Sequence, residues 1–336
     1  MSEKISLAHG SGGRASHELI EKLFVASFCS KPLAAMEDSA VIKAGSEIIA
    51  FSTDSYVVDP IFFPGGDIGA LAVHGTVNDL AMRGAKPLYL SVGMIIEEGF
   101  ALSDLAIIVR SLKKGADKAG VEIVAGDTKV VQSGKADKIF INTTGIGVLD
   151  KGLDISARNG RPGDVVLISG TMADHGTTIL CQREGLQIQG DFKSDSAPLN
   201  HMVAAMISEA GSAIHILRDP TRGGVGTTLN ELALSSGVGI RIREKVLPVR
   251  DDVRGACELL GLDPIYLANE GKLLAFVAPE AAERVLAVMR KMEYGANSCI
   301  IGEIVADHPG QVVLETSIGS ARIVDMLHGE PLPRIC

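Results

Sequence analysis

The sequence predicts an α/β or α+β protein built from two domains. Its 336 residues are about two ordinary domains long. Hydrophobic residues make up 46% of the chain and charged residues 22%, a balance typical of globular proteins with apolar cores. In each half, segments with helical periodicity alternate with short β-rich segments, which is the pattern of folds that combine sheets with helices.

In the first half, hydrophobic periodicity and cap residues define the predicted elements. Asp67 is placed as an N-cap, and Gly84 and Pro87 lie past the end of the same helix. Strand 47–55 brings Asp54 to its end, and strand 121–129 is predicted to be short and to run into a turn. The predicted order is helix 15–28, strand 47–55, helix 67–83, strand 87–95, helix 102–119, strand 121–129 and strand 138–149.

The second half begins after a polar, turn-rich segment, "DKGLDISARNGRPGD" at 150–164. This boundary assigns 1–150 to one domain and 155–320 to the other. A short polar insertion lies at 186–196. The predicted elements are strand 165–169, helices 173–184, 197–210 and 223–236, strand 238–243, helix 250–260, strand 272–278, helix 279–291, and strands near 300–305 and 311–315.

The end of the chain, "HGEPLPRIC" from residue 328, has no periodicity and is predicted to be a flexible, extended tail that carries Cys336. Pro331 and Pro333 favour a polyproline-like conformation, so eight residues at ~3.1 Å each could span about 25 Å. Such a tail can move a terminal thiol from one site to another.

Composition excludes several classes of partner. A net charge of −9 and an aromatic content of 4% argue against nucleic acid, which needs basic surfaces and stacking side chains. The N-terminus has no signal-peptide run, and no segment approaches the ~18 apolar residues of a membrane span. We therefore expect no membrane partner and a cytoplasmic location.

The five cysteines include no C-x-x-C pair, which excludes a disulfide framework or a thiolate zinc site. Cys29, Cys181, Cys257 and Cys299 are expected to be buried as small hydrophobic residues. Cys336 is different, because a chain terminus is seldom a packed core position. The eight histidines have no ligand spacing, so no transition-metal site is predicted.

Acidic residues in the first half mark a candidate magnesium site. Asp38, Asp54, Asp79 and Asp127 offer the hard oxygens that Mg²⁺ prefers, although each alone has an ordinary turn explanation. Lys129 could oppose a phosphate as a point charge. The glycine-rich loop at 10–13 could direct backbone N–H groups at the same phosphates, but neither a P-loop nor a G-x-G-x-x-G turn is present.

Two motifs in the second half are candidates for anion binding and proton transfer. In "RDPTRGGVG" at 218–226, Gly223 and Gly224 precede a helix whose positive end is open to an anion; the alternative is a plain helix start capped by Thr221. "LANEGK" at 267–272 places Glu270 between apolar stretches. That carboxylate is either an exposed turn residue or a partly buried base with a raised pKa.

The motifs "HGSGG", "EDSAV", "STDS", "GTVNDLAMRGAKP", "GDTKVV", "DPTRGGV", "ANEGK" and terminal "PRIC" resemble the aminoimidazole-ribonucleotide-synthetase-like (PurM-like) ATP-binding superfamily. Within it, they are similar to the carbamoyl dehydratases of hydrogenase maturation. The resemblance implies a two-domain fold, in which the N-terminal sheet domain pairs with its copy in a homodimer. An α/β C-terminal domain and an extended tail would follow.

The resemblance also implies ATP and Mg²⁺ as cofactors. The metal ligands would be Asp38, Asp54, Asp79 and Asp127, and Lys129 would spread the charge of the transferred phosphoryl group. Residues implied to contact the nucleotide are Gly12, Gly13, Asp38, Asp54, Asp79, Asp127, Thr128, Asp219, Arg222 and Asn269.

The implied reaction occurs on Cys336. The carbamoyltransferase HypF would place a carbamoyl group on this thiol, and ATP-dependent dehydration would convert the S-carboxamide to a thiocyanate, with Glu270 as the base. The cyanide would pass to iron on the HypC–HypD scaffold and become a ligand of [NiFe] hydrogenase. Alternatives are a selenophosphate synthetase-like or thiamine-monophosphate kinase-like enzyme, or a non-catalytic ATP-dependent interaction module.

Overall fold

A computed structural model describes residues 4–186, 190–327, 329 and 333–336. In the first half of this described part, a five-stranded sheet has the order β1-β2-β7-β5-β6, and its pairings are antiparallel except for the parallel pair of β5 and β6. Its strands are β1 (Ala40–Ala44), β2 (Glu47–Tyr56), β5 (Lys86–Glu97), β6 (Glu122–Val131) and β7 (Ile139–Val148), and a small hairpin joins β3 (Phe62–Phe63) to β4 (Gly66–Asp67).

One face of this sheet is covered by helices α3 (Ile68–Met82) and α4 (Leu102–Ala119). Asp67 caps α3 as predicted, since its carboxylate accepts hydrogen bonds from the amides of Gly69 and Ala70 at 2.8 and 3.0 Å. α3 is apolar around most of its circumference because it packs on the sheet and also contacts the second domain. A residue on α3 can therefore face the boundary between the two domains.

The opposite face of the sheet has an exposed apolar surface, which we call the open sheet face. Its large side chains, each at least 38% exposed, are Ile42, Phe51, Tyr89, Ile95 and Ile146. Directly paired residues of neighbouring strands project to the same side of a sheet. Because Asp127 pairs with Gly93 and Lys129 pairs with Ile95, both charged residues belong to the open sheet face.

The second half contains a seven-stranded sheet within the described residues, in the order β14-β13-β10-β12-β8-β11-β9. Its strands are β8 (Val165–Ile168), β9 (Ile214–Arg218), β10 (Gly239–Arg243), β11 (Leu274–Val277), β12 (Cys299–Val305), β13 (Val312–Glu315) and β14 (Ala321–Val324). The longer helices are α5 (Asp174–Arg183), α6 (Asn200–Ala210), α7 (Gly224–Ser236), α8 (Asp251–Leu260) and α9 (Pro279–Lys291).

Helices cover both faces of this sheet, which explains its continuous apolar strands. Val166 and Ile168 pack in a core with α7, whereas Leu167 between them packs in a second core with α6 and α9. Short helical segments elsewhere are α1 (Arg14–Leu19) and α2 (Ala26–Phe28), joined by a π-helical stretch at 20–25. Among the described residues, none of the helices has the length and apolar character needed to cross a membrane.

Most predicted elements are present, and the differences are local. Helix 102–119 has the predicted limits, because Gly120 takes the left-handed C-cap conformation at φ 70°. The strand predicted at 121–129 is present but slightly longer at its end, since β6 continues to Val131 beside β5. The strands β1, β3, β4, β9 and β14 were not predicted from the sequence.

The cysteines follow the prediction only in part. Cys181 and Cys257 are buried as predicted, and Cys299 is half-buried. The prediction for Cys29 is wrong: it is exposed in a left-handed C-cap, where the preceding helix ends. Cys336, expected to lie outside any core, is only 9% exposed and packs in the same core as Tyr56.

Candidate functional site

Three carboxylates from distant parts of the chain meet at the boundary between the two domains. Asp38 precedes β1, Asp79 lies on α3, and Asp219 follows β9. Each contributes an oxygen that lies within 4.8 Å of the other two, and among the described residues this is the group that could hold a metal ion. We call it the carboxylate cluster.

The electrostatics of the carboxylate cluster favour a bound cation. Burial raises the pKa of Asp38 and Asp79 well above the usual range, and the charges of neighbouring carboxylates add to the effect. Burial likewise raises the pKa of Asp219, to about 6. A divalent cation would relieve this repulsion, and hard carboxylate oxygens are its preferred ligands. The cluster therefore fits Mg²⁺.

Two neighbouring side chains partly offset the repulsion. Arg218 places Nε 2.8 Å from Asp38 Oδ1, and the Ser52 hydroxyl donates to Asp79 Oδ2 at 2.7 Å. Asp54, at the end of β2, also has a raised pKa because of burial, opposed by Arg222. Its charge raises the pKa of Asp79 and Asp219, so Asp54 lies near the carboxylate cluster without being one of its three closest members.

The start of α7, which follows Asp219 along the chain, forms another part of the site. Gly223 is its N-cap, and no side chain caps the helix, so Thr221 does not have the capping role of the alternative interpretation. Gly224 has φ +62°, and a Cβ there would lie 2.6 Å from the Ile265 carbonyl oxygen, so the close approach requires glycine. An uncapped helix start of this length can bind an anion such as phosphate.

The glycine-rich N-terminal loop packs against this helix start. A Cβ on Gly12, which has φ +77°, would lie 2.9 Å from the Cβ of Arg222, and one on Gly13 would lie 2.5 Å from the Leu327 carbonyl oxygen. Arg222 Nη1 also donates to the Gly10 carbonyl at 3.0 Å. The loop and Arg222 therefore form one surface beside the positive end of α7.

Glu270 is a buried carboxylate next to this surface. It is 4% exposed, and its Oε1 has no hydrogen-bond partner within the described part of the chain. Burial raises its pKa well above the usual range, the charges of Asp195, Asp219 and Asp54 add to this, and Arg222 opposes it. A buried carboxylate with these properties is suited to accept a proton near neutral pH.

Asn269 has a supporting position beneath the site. It is fully buried, its Oδ1 accepts from the Ala173 amide at 2.8 Å, and its Nδ2 donates to the carbonyls of Pro220 and Leu267 at 2.9 and 3.2 Å. Both N–H groups of the side chain are therefore used within the protein. Asn269 holds the loops of Asp219 and Glu270 together.

The end of the chain reaches the same place. The terminal carboxylate of Cys336 accepts from the Val57 amide at 2.9 Å, and the Arg334 carbonyl accepts from the Asp59 amide at 3.2 Å. The chain end thus pairs with the segment that follows β2, in the manner of an added strand. Residues 333–336 of the tail that was expected to be flexible are docked here.

Arg222 connects the docked thiol with the acidic residues. Its pKa is raised, first by the charge of Cys336 and then by those of Asp54, Glu270 and Asp79. These four residues therefore lie close enough to one guanidinium group to interact with it. The terminal cysteine, the buried carboxylate and the carboxylate cluster belong to one site.

Asp127, Thr128 and Lys129 lie elsewhere in the single chain. All three are exposed on β6, and Lys129 Nζ pairs with Asp127 at 2.6 Å, with side chains 68% and 69% exposed. Asp219 takes the place in the carboxylate cluster that was expected for Asp127. No sequence motif predicted a role for Arg218, Ser52 or Asp195, although Arg218 begins the "RDPTRGGVG" motif and Asp195 lies in the insertion at 186–196.

Known proteins match this chain along nearly its whole length. Residues 36–149 match the N-terminal domain of AIR synthase related proteins, and residues 161–315 match the C-terminal domain. The carbamoyl dehydratase HypE of Azotobacter vinelandii is 54% identical over 332 residues, which cover 99% of this chain and 97% of that protein.

Solved structures give the same result. A HypE structure in complex with ATP is 52% identical with a TM-score of 0.84, covering 99% of this chain and 100% of that chain. HypE in a HypE–HypF complex is 50% identical with a TM-score of 0.88, covering 92% and 99%. A thiamine monophosphate kinase from Aquifex aeolicus, 17% identical with a TM-score of 0.67 and coverage of 94% and 100%, shares the fold alone.

Proposed function

This chain belongs to the AIR synthase related family, among the HypE carbamoyl dehydratases, and on that basis we propose that it dehydrates an S-carboxamide on its own Cys336 to a thiocyanate, using ATP. The observation that carries the proposal is the position of Cys336, which is docked beside Arg222 with Glu270 and the carboxylates around it. A thiol in this place is a carrier for the substrate group. The thiocyanate would supply the cyanide ligand of the iron in [NiFe] hydrogenase.

The site provides for Mg²⁺ and ATP. Asp38, Asp79 and Asp219 would hold the metal, with Asp54 beside them. Mg²⁺ bound there would neutralise charge on phosphate oxygens. The uncapped start of α7, Arg222 and the loop of Gly12 and Gly13 would bind phosphate groups, and the relative solved with ATP supports this assignment.

The chemistry requires activation of a poor leaving group. The carboxamide oxygen attacks the terminal phosphorus of ATP, ADP leaves, and one N–H proton is lost, which gives an S-linked imidate phosphate. Loss of the second N–H proton then forms the C≡N bond, and the C–O bond breaks to release inorganic phosphate. The sum is ATP hydrolysis coupled to the removal of one water from the amide.

Glu270 is the proposed base for these protons. Its Oε1 is buried without a partner in the described chain, and its pKa is raised, so it can take up a proton at neutral pH. Arg222 interacts electrostatically with both Glu270 and Cys336. It would stabilise the negative charge that develops on the transferred phosphoryl group.

A homodimer would account for Lys129 and Asp127. The open sheet face exposes Phe51, Ile95 and Ile146, and an apolar sheet face of this kind is covered by a partner in stable proteins. Lys129 and Asp127 lie on that face, so a second copy placed there would cover both of them. We propose that Lys129 and Asp127 act on the nucleotide only in this dimer.

Two further partners belong to the proposal. HypF would deliver the carbamoyl group to Cys336, as the solved complex of a relative with HypF supports. The HypC–HypD scaffold, implied by the motifs alone, would receive the cyanide.

Mass spectrometry of the C-terminal peptide tests the reaction. Protein carbamoylated by HypF should lose the mass of one water from this peptide after ATP and Mg²⁺ are added. The Cys336→Ala variant should accept no carbamoyl group, and its stability should fall by only about 1 kcal/mol because little buried volume is removed. Cys299→Ala, at a half-buried cysteine, is the matched control and should react normally.

Other outcomes would contradict the proposal in different ways. ATP consumption without loss of water would indicate another PurM-like ATP-dependent enzyme. If carbamoylated protein bound ATP without consuming it, the chain would instead be an interaction module.

A further inference from the structure

The last turn of α5 binds the backbone of the docked tail. Arg183 donates from Nη1 to the Pro333 carbonyl at 2.6 Å and from Nη2 to the Arg334 carbonyl at 2.8 Å. The same guanidinium donates to the Asp59 carbonyl from Nε and Nη2, at 2.9 and 2.6 Å. One planar, charged group thus joins the tail to the segment after β2 through three carbonyl oxygens.

The first turn of the same helix makes another contact of this kind. His175 is fully buried, and its Nε2 lies 2.7 Å from the Ile335 carbonyl oxygen. A carbonyl oxygen only accepts, so Nε2 carries the hydrogen and Nδ1 accepts from the Ser194 hydroxyl, 2.7 Å away. The Ser196 amide donates to the Ser194 hydroxyl at 3.1 Å and fixes its orientation. The polar insertion at 186–196 therefore orients the imidazole.

α5 also connects these contacts to the reacting groups. The amide of Ala173, just before the helix, donates to Asn269 in the loop of Glu270. In addition, Asp195 accepts from the Glu270 amide at 3.2 Å, next to the Ser194 that orients His175. The tail, α5 and the Glu270 loop are thus linked by hydrogen bonds through backbone atoms that hold their relative positions.

We propose that Arg183 and His175 are positioning residues that hold the C-terminal tail by its backbone carbonyls and so present Cys336 to the site. The inference rests on the proposed function, because it concerns the delivery of the carrier thiol. Every tail atom that the two side chains bind is a carbonyl oxygen, so they recognise the path of the chain. Carbamoyl transfer requires access to Cys336, a residue that is only 9% exposed, whereas dehydration requires the docked tail.

Thiol labelling tests whether Arg183 and His175 hold the tail. It needs neither ATP nor a carbamoyl group, so its result does not depend on the proposed reaction. Iodoacetamide labels Cys336, and mass spectrometry follows the peptide released by cleavage after Glu330. Arg183→Gln removes the charge and most donors, and the loss of charge-assisted hydrogen bonds predicts about tenfold to hundredfold faster labelling. Arg284→Gln, which alters an exposed ion pair with Glu209, is the control and should label like the natural protein.

A pair of His175 variants isolates the contact with the tail. His175→Gln can place an N–H near the position of Nε2, whereas His175→Asn keeps a polar group near Nδ1 but does not reach the Ile335 carbonyl. We expect fast labelling in His175→Asn and near-natural labelling in His175→Gln. In carbamoylated protein, the fast-labelling variants should accept the carbamoyl group normally but dehydrate it slowly.

Unchanged labelling in folded Arg183→Gln and His175→Asn would overturn the inference. If Arg183→Gln does not fold, the His175 pair decides: equal labelling rates in its two members would overturn the inference, and a faster rate in His175→Asn would support it. Fast labelling combined with normal dehydration would also overturn the positioning role.

Discussion

Asn269 donates a hydrogen bond from its buried side-chain amide to the carbonyl of Pro220, at 2.9 Å. This bond joins the loop before Glu270 to the loop after Asp219, so the proposed base and one carboxylate of the cluster are held by a residue that has no free N–H. Asn269, expected from sequence resemblance to contact the nucleotide, has a geometry that favours support of the two loops.

The main effect of Asn269→Ala should therefore be a loss of protein stability, and not a direct change in the reaction. The substitution removes the acceptor of the Ala173 amide and the donor to the Leu267 carbonyl in a buried place, whereas the Pro220 carbonyl keeps the backbone amide of residue 269. We expect a loss of about 3 kcal/mol in the free energy of unfolding. Urea denaturation measures it. Asn297→Ala, at an exposed asparagine, should change stability by less than about 0.5 kcal/mol. Similar small losses in both variants would argue that Asn269 does not hold the loops.

Asp79→Asn should have opposite effects with and without metal. Because burial and neighbouring carboxylates raise the pKa of Asp79, a neutral amide removes a repulsive charge, and the melting temperature in EDTA should rise. The same variant should lose the stabilisation by Mg²⁺, which reaches about 2.7 kcal/mol at a hundredfold excess over Kd in a protein that binds it. Thermal melts with and without Mg²⁺ distinguish these effects.

Asp127→Asn is the matched control for the single chain. Its carboxylate is exposed, is paired with Lys129 and lies outside the carboxylate cluster, so the stabilisation by Mg²⁺ should not change. A full Mg²⁺ response in Asp79→Asn would place the metal elsewhere. Loss of dehydration in Asp127→Asn, with stability unchanged, would support its action in the dimer.

The stabilisation by Mg²⁺ should depend on pH through Asp219. Its pKa is about 6 in the folded protein, above the unfolded value, so the folded state binds more protons between these two values. Without metal, the free energy of unfolding should therefore fall as pH rises through about 4 to 6. Mg²⁺ competes with those protons, so its stabilising effect should be small near pH 5 and large near pH 8.

Melts over this pH range, with Mg²⁺ or EDTA, measure the difference. Asp219→Asn should flatten the dependence, because the amide does not titrate. A Mg²⁺ effect of equal size at both pH values would contradict a metal held by the carboxylate cluster.

Glu270→Gln should separate dehydration from carrier loading. The amide keeps the shape of the side chain but cannot accept a proton, and loss of a general base slows a reaction by about 10²–10⁴-fold. The variant should bind ATP and carry a carbamoylated Cys336 but form thiocyanate slowly. Mass spectrometry of the C-terminal peptide over time measures the rate. Near-natural dehydration would assign the proton transfer to water or a phosphate oxygen.

The sequence by itself determined the elements and many of the residues that matter. Cap residues and periodicity are local, so the limits of α4 and the capping of α3 by Asp67 followed from a few neighbouring residues. The motifs also identified Cys336, Glu270 and Asp79 as candidates, because chemistry depends on residue type and each stands within a short, distinctive string.

The tertiary structure decided which candidates meet. Asp219 joins Asp38 and Asp79 although it lies in the other half of the chain, whereas Asp127 lies on an exposed strand. The sequence likewise did not indicate that the tail docks. Arg183 and His175 bind its backbone carbonyls, and these groups are the same in every residue. A contact with the backbone does not require particular residue types in the tail, so it is visible only in the tertiary structure.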